Sequence, residues 1–395
     1  MGAQHSHENE IADDKFLRPL DPRKKGDFEN GFYSVARGSM PSFTCPNNMS
    51  IVTGTEPEVH GISGNFFLDP ETGEPVVMTG PELLRARSIM SEFSRQGVKV
   101  ASVTSKDKLR QQLQKDMDLS NGSVSFSAQH ADECTMAENG IENVIEFVGQ
   151  PKPDMYSAEL SLFVLDAGIR LLEDRAPKIL YLSLTDFIQH SHAPGDPIAN
   201  KFYSDMDARF ARMVELGATV ALTADHGMGD KADADGAPMV IWLQDVLDAA
   251  VGEGQTQVIC PITDAFVGHH GALGGFVRVY VKGDVSKNAV LEIIQKIEGV
   301  EKCWLGEDVA KELEQPLDRE GDIAVVGDKK TVIGGRQVDH DLSALKGHRL
   351  RTHGSLHETA VPFILSKPLN PEYAAKAKNG LRSHNIFEFA LNGTV

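Results

Sequence analysis

The chain has 395 residues, with 41% hydrophobic, 24% charged and 7% aromatic side chains, an ordinary globular composition that excludes a disordered, collagen-like or disulfide-stapled protein. Lys+Arg 39 against Asp+Glu 57 leaves a formal net charge of -18, which argues against nucleic acid or an anionic membrane as the main partner. Cys45, Cys134, Cys260 and Cys303 stand far apart and form no CxxC pair, so neither a zinc ribbon nor a disulfide framework is indicated.

No run reaches the roughly 18 apolar residues of a membrane span, and residues 1–30 lack the apolar centre of a signal peptide. The expectation is a cytoplasmic protein with no membrane span. Residues 1–38 are polar and without period, and read as a poorly ordered tail. A helix opens near Asn47 and stops at Gly54, followed by the Gly-rich segment 61–65. Leu83, Leu84, Ile89, Met90 and Phe93 predict a helix over 81–96, and residues 98–103 read as a buried strand. The same pair recurs as helix 153–173 with strand 179–184, and as helix 198–216 with strand 218–223. Repeated alternation predicts an α/β fold on a mostly parallel central sheet covered on both faces. Residues 231–345 break the alternation with short strands at 239–243, 276–281 and 324–326, and read as an inserted α+β cap. A buried strand at 361–365 and a helix at 383–391 complete a core of 39–230 and 346–395.

Ligands in open parallel sheets collect beyond the carboxyl ends of strands. Strand 179–184 leads into TDFIQH, where Asp186 and His190 converge on one cation if the segment turns helically. Strand 218–223 leads into Asp225 and His226, and RTHG with His353 precedes strand 361–365. Five oxygen and nitrogen donors without a thiolate favour zinc, manganese or iron. A Ser/Asp/His triad would want a GxSxG elbow, and none occurs. Thr44, in PSFTCPNN at a helix N-terminus, is the candidate nucleophile, where the helix dipole and a metal both lower a hydroxyl pKa; the alternative is that Thr44 merely caps the helix. Lys106 and Lys108 in an extended chain project to one side and could grip one anionic group; the alternative is a solvated surface pair. His269 and His270 in the inserted region read as structural ahead of a role at the site.

The motifs PSFTCPNN (41–48), SIVTG (50–54), VHGISGNFF (59–67), TSKDKL (104–109), TDFIQH (185–190), TADHGM (223–228) and RTHGS (351–355) together resemble the alkaline phosphatase superfamily, and within it the phosphonoacetate hydrolase family. The resemblance implies an alkaline-phosphatase-like three-layer sandwich that uses two zinc ions to cleave the carbon–phosphorus bond of phosphonoacetate, giving acetate and phosphate through a Thr44 phosphoenzyme. It implies that Asp186, His190 and His353 hold one zinc and that Asp225, His226 and Thr44 hold the other. Lys106 and Lys108 would hold the substrate carboxylate, and Asn65 would donate to a phosphonate oxygen. The implied partner is a small anionic phosphonate, and a homodimer is compatible with it. The family pattern also has an N-terminal strand ending in an Asp that ligates the second zinc. Asp13, Asp14, Asp21 and Asp27 follow no apolar run, and no strand-like segment precedes Ser39, so this ligand is expected to be missing. Two other readings stay open: another phosphodiesterase or nucleotide pyrophosphatase of the superfamily, and a homologue impaired by the lost ligand.

Overall fold

The computed structural model describes residues 31–69, 71–262, 272–345 and 347–395. Asp13, Asp14, Asp21 and Asp27, and His269 and His270 in the inserted region, lie outside the described residues. The first element is a strand, β1 (Phe32–Arg37), paired antiparallel with a strand more than 300 residues away, where Phe32 faces Leu365 and Arg37 faces Ala360. The expected tail therefore stops short of Phe32, and a strand does precede Ser39. Its mostly half-buried side chains leave little apolar signal, which is why local sequence does not announce it. It ends in Arg37, not in an Asp.

Helix α1 (Thr44–Thr53) follows and closes at Gly54, whose φ of 68° is the left-handed C-cap that glycine supplies. Residues 81–88, expected to be helical, are turns, and only Ile89–Arg95 is helix, capped by the Ser88 hydroxyl. Three βα units come next: β2 (Val100–Thr104) with α2 (Asp107–Gln114), β3 (Val124–Ser127) with the long α3 (Ala158–Asp174), and β4 (Ile179–Ser183) with α4 (Phe187–Ser191) and α5 (Pro197–Glu215). Strands β3, β2 and β4 form a parallel sheet. Ala101 and Val103 pack toward α3, whereas Val100 and Ile179 pack with Met90 on the opposite face, so helices cover both sides as expected.

The sheet does not continue as one ladder. Strand β5 (Ala221–Thr223) pairs antiparallel with the last long strand, which in turn carries β1 on its far edge. Helix–strand alternation predicts parallel crossovers, but β5 takes the returning C-terminal strand as its partner instead. The centre is thus mixed: one parallel and one antiparallel three-stranded sheet. Among the described residues β4 pairs only with β2, and β5 only with the returning strand. Between β5 and that strand, residues 256–327 build an antiparallel sheet of β6 (Thr256–Ile259), β7 (Phe276–Val281), β8 (Val300–Leu305) and β9 (Ile323–Gly327), in the order β6-β7-β9-β8. Its apolar face is filled by Leu247, Val277, Val279, Val290 and Ile294. The returning strand is β10 (Ala360–Leu365), and the final segment is a broken run of 3-10, α and π turns from Ser383 to Gly393, not the single helix expected.

Candidate metal centre

The turn before α1 is fixed by one buried amide. Asn47 Nδ2 donates to the carbonyls of Ser39, Pro41 and Phe43, and its Oδ1 accepts from the Ser39 N–H at 2.7 Å. Phe43, extended at φ -114° and ψ 156°, is the N-cap, so Thr44 is the first helical residue and does not cap the helix. Its Oγ1 lies 3.3 Å from His226 Nε2. The helix dipole therefore points its positive end at the Thr44 hydroxyl.

The segment after β4 does turn helically. Asp186 opens α4, and His190 one turn on places Nε2 3.1 Å from Asp186 Oδ2. His353 arrives from just before β10, and ligand atoms of Asp186, His190 and His353 all lie within 4.8 Å of one another. His226, following β5, stacks on His353 with ring centroids 3.5 Å apart and 10° between planes, its Nε2 3.9 Å from Asp186 Oδ2 and 3.6 Å from Asp225 Oδ2. The close passage of the His353 turn requires Gly354: at φ 115°, a Cβ there would stand 2.4 Å from the Phe43 ring.

Each imidazole is oriented the same way. His190 Nδ1 donates to the Arg351 carbonyl at 2.7 Å, His226 Nδ1 to Gly227 O at 2.9 Å and His353 Nδ1 to Ser42 O at 2.7 Å. A carbonyl oxygen only accepts, so Nδ1 carries the hydrogen in all three rings and Nε2 presents its lone pair to the centre. This is the orientation in which a histidine ligates a cation, with a backbone oxygen fixing its tautomer. Burial would raise the Asp186 carboxyl, but where no cation sits between them a proton on His190, and next on His226, holds it well below the usual carboxylate range. Asp225 is raised, by burial first and by the Asp186 charge against the opposing pull of His226. Burial, with His226 and His190 adding to it, drives His353 well below the ordinary imidazole range, so that ring stays neutral. Lone pairs and carboxylates crowded together in this way fit a divalent cation better than a set of protons. The histidines are buried while Thr44, Asp186 and Asp225 are half-buried, so the centre is reached from the threonine and carboxylate side.

Lys106 and Lys108 sit one strand over. Ser105 N–H donates to Ser183 O at 2.9 Å, which ties the stretch to the end of β4, three residues before Asp186. The expected extended geometry is only half right: Lys106 is extended, but α2 begins at Asp107 and takes Lys108 into its first turn. Both lysines are half-buried at the same strand end. Asn65 is buried, its Nδ2 donating to Ile262 O at 3.1 Å, and Ile262 packs beside Phe43, the residue before Thr44. One residue carries more than its motif suggested. Asn48 Nδ2 donates at 3.0 Å to both Thr44 O and Asp225 Oδ2, while its Oδ1 accepts from Tyr181 Oη at 2.9 Å. Its spacing of four from Thr44 on α1 was the available signal.

Phosphonoacetate hydrolase from Sinorhizobium meliloti, solved with phosphonoformate and with phosphonoacetate, is 41% identical in both structures, with TM-scores of 0.88 and 0.87, covering 97% of this chain and 91% of that one. Murine ectonucleotide pyrophosphatase/phosphodiesterase 5 shares the fold at 17% identity and a TM-score of 0.59, over 91% of this chain and 86% of that one. An uncharacterized pyrophosphatase/phosphodiesterase from Schizosaccharomyces pombe is 23% identical over 218 residues, 53% of this chain and 40% of that curated relative's length. The family model of type I phosphodiesterase / nucleotide pyrophosphatase matches residues 28–356. The chain is therefore a hydrolase that belongs to the type I phosphodiesterase / nucleotide pyrophosphatase family of the alkaline phosphatase superfamily.

Proposed function

We propose that the protein hydrolyses the carbon–phosphorus bond of phosphonoacetate to acetate and phosphate. The observation that carries this reading is the 41% identity to phosphonoacetate hydrolase across nearly the whole chain. The donor geometry supports it. Asp186, His190 and His353 would hold one zinc ion, and Asp225, His226 and Thr44 a second. Two divalent ions so held lower the pKa of a coordinated hydroxyl and neutralise charge on the attacking and leaving groups of an in-line displacement.

The chain's own groups do the rest. Thr44 Oγ1, 3.3 Å from His226 Nε2 at the start of α1, gives up its proton to solvent and attacks phosphorus as the phosphorus–carbon bond breaks; the bonding pair leaves with carbon, delocalised into the adjacent carboxylate, and a proton from water completes acetate. The α1 dipole favours the anionic phosphoryl group that then resides on Thr44. Lys106 and Lys108 grip the substrate carboxylate, and Asn65 donates to a phosphonate oxygen. A carboxylate anchor is what separates phosphonoacetate from a simple phosphate ester. Water then hydrolyses the phosphothreonine.

Zinc per chain measured beside acetate and phosphate release from phosphonoacetate tests the proposal. About two zincs with turnover supports it, and one or none without turnover sinks it in favour of an impaired homologue. The family match to phosphodiesterases favours a second reading, a nucleotide diester as substrate. If replacing Lys106 and Lys108 by Ala lowers phosphonoacetate turnover by roughly a hundredfold and leaves any diesterase activity nearly unchanged, the phosphonate reading stands; equal effects on both would transfer it to the diester.

A further inference from the structure

The turn that carries Asn65 is fastened to the inserted sheet at several points. Asn65 N–H donates to Pro261 O at 2.7 Å and Asn65 Nδ2 to Ile262 O; Leu68 N–H donates to the Tyr280 hydroxyl at 3.1 Å. Arg319 Nη1 donates to Gly61 O at 2.5 Å and to Leu83 O at 2.7 Å. At the middle lies Arg278 on β7, which with its partner Glu320 is fully buried. Arg278 Nε and Nη2 hold the two Glu320 oxygens at 2.5 and 2.9 Å, and Nη2 also donates to Ser63 O at 3.1 Å.

A buried ion pair gives little net stability compared with apolar residues of the same volume, so its placement here calls for another role. Two buried polar atoms in this stretch have no protein partner, Arg278 Nη1 and Asn65 Oδ1. Gly64 lies so close to the sheet that a Cβ would stand 2.8 Å from Pro261 Cβ and 3.3 Å from Arg278 Nη1. A backbone pressed on one side against both a guanidinium and a proline, with its neighbour's amide held by Ile262, is held in one orientation. That orientation uses one Nδ2 hydrogen of Asn65 and leaves the other.

We propose that Arg278 is the positioning residue for Asn65: braced by Glu320, it grips the Ser63 carbonyl and fixes the turn that offers the remaining Asn65 amide hydrogen to an oxygen of a phosphonate or phosphate group. The inference rests on the reading of Asn65 as a substrate ligand. It makes the inserted sheet a fixed wall of the site, so that any movement of that sheet carries Asn65 with it.

A double-mutant cycle tests this on the zinc-loaded full chain, with inorganic phosphate as the titrated ligand and phosphonoacetate as the kinetic substrate. Asn65→Ala is expected to weaken phosphate binding about tenfold, and Arg278→Lys by roughly the same factor, because lysine cannot serve Glu320 and Ser63 together. Combined, they should be no worse than Asn65→Ala alone within about twofold. The two single variants should also change kcat and KM in the same proportion. Factors that multiply, an unchanged phosphate affinity in Arg278→Lys, or no phosphate binding by the unaltered protein would each overturn the proposal. If Arg278→Lys does not fold, Arg278→Met with Glu320→Leu replaces the pair by apolar side chains and takes its place in the cycle. Phosphate carries no carboxylate. A coupled cycle without phosphonoacetate turnover therefore sinks the substrate reading alone, and turnover with multiplying losses sinks the positioning role alone.

Discussion

Asn48 shows how much a single side chain decides here. It links the backbone of Thr44, the carboxylate of Asp225 and the Tyr181 hydroxyl, three groups on three different elements. Tyr181 is raised above the ordinary phenol range by burial first and by the Asp225 charge second, so it stays a neutral donor to Asn48. With the Asn48 amide gone, Asp225 is free to turn away from His226. Asn48→Leu is expected to lower kcat/KM by roughly ten- to a hundredfold and to release about one metal per chain, read by steady-state kinetics beside elemental analysis. Full metal content with unchanged kinetics would show that Asp225 needs no orienting partner.

At the scale of elements, α1 is tied down behind the site by a polar chain: Ser39 Oγ donates to Glu56 at 2.8 Å, Ser39 meets Ser50 at 3.1 Å, and Ser50 meets His60 Nε2 at 3.0 Å. Burial, with the nearby His384 adding to it, pushes the His60 imidazole down to about 3, and burial with Arg382 takes His384 down to about 4. Below pH 6.5 the unfolded chain binds protons at these positions that the folded one refuses, so stability falls as pH drops from about 6.5 toward 3. The slope is up to ~1.4 kcal/mol per pH unit for each histidine. Glu56 works the other way: its carboxyl is raised by burial, eased by Arg382 and Ser39, and it is stabilised as pH falls through that raised value. Two histidines against one carboxyl predict a lower urea midpoint at pH 5 than at pH 7. An equal or higher midpoint at pH 5 would show that these rings accept protons in the folded state.

The same elements show what sequence could and could not reveal. Helices α3 and α5 and strand β7 fall within a few residues of expectation because their apolar period is long and local. The helix expected from residue 81 starts instead at Ile89, since the carbonyls of Leu83 and Leu84 are taken by Arg319 and Lys115, donors far away in sequence or on another element. The side chains that meet at the centre were legible because strand ends concentrate them. The carbonyls of Ser42, Gly227 and Arg351 that aim the three imidazoles were not, because a backbone oxygen has no sequence signature.

At the scale of the whole molecule, the carboxyl ends of one strand from each central sheet meet at one place. Strand β4 delivers Asp186 and β5 delivers Asp225 and His226, yet among the described residues no backbone ladder joins β4 to β5. The middle of β4 is accordingly half-buried, whereas β2 beside it is wholly buried. Dialysis against a chelator is expected to lower the melting temperature by roughly 5 °C and to broaden the transition, since a ligand bound only by the folded state contributes ~3 kcal/mol at a hundred times its dissociation constant. An unchanged melting curve would show that the sheets hold together without it. Asn48 and the donors of the centre cross this seam beside the apolar packing of Tyr181 against the cluster of Val361 and Phe363. Any cation they share acts as a rivet between two half-molecules, so that whatever strips the ion removes a mechanical fastening along with the chemistry.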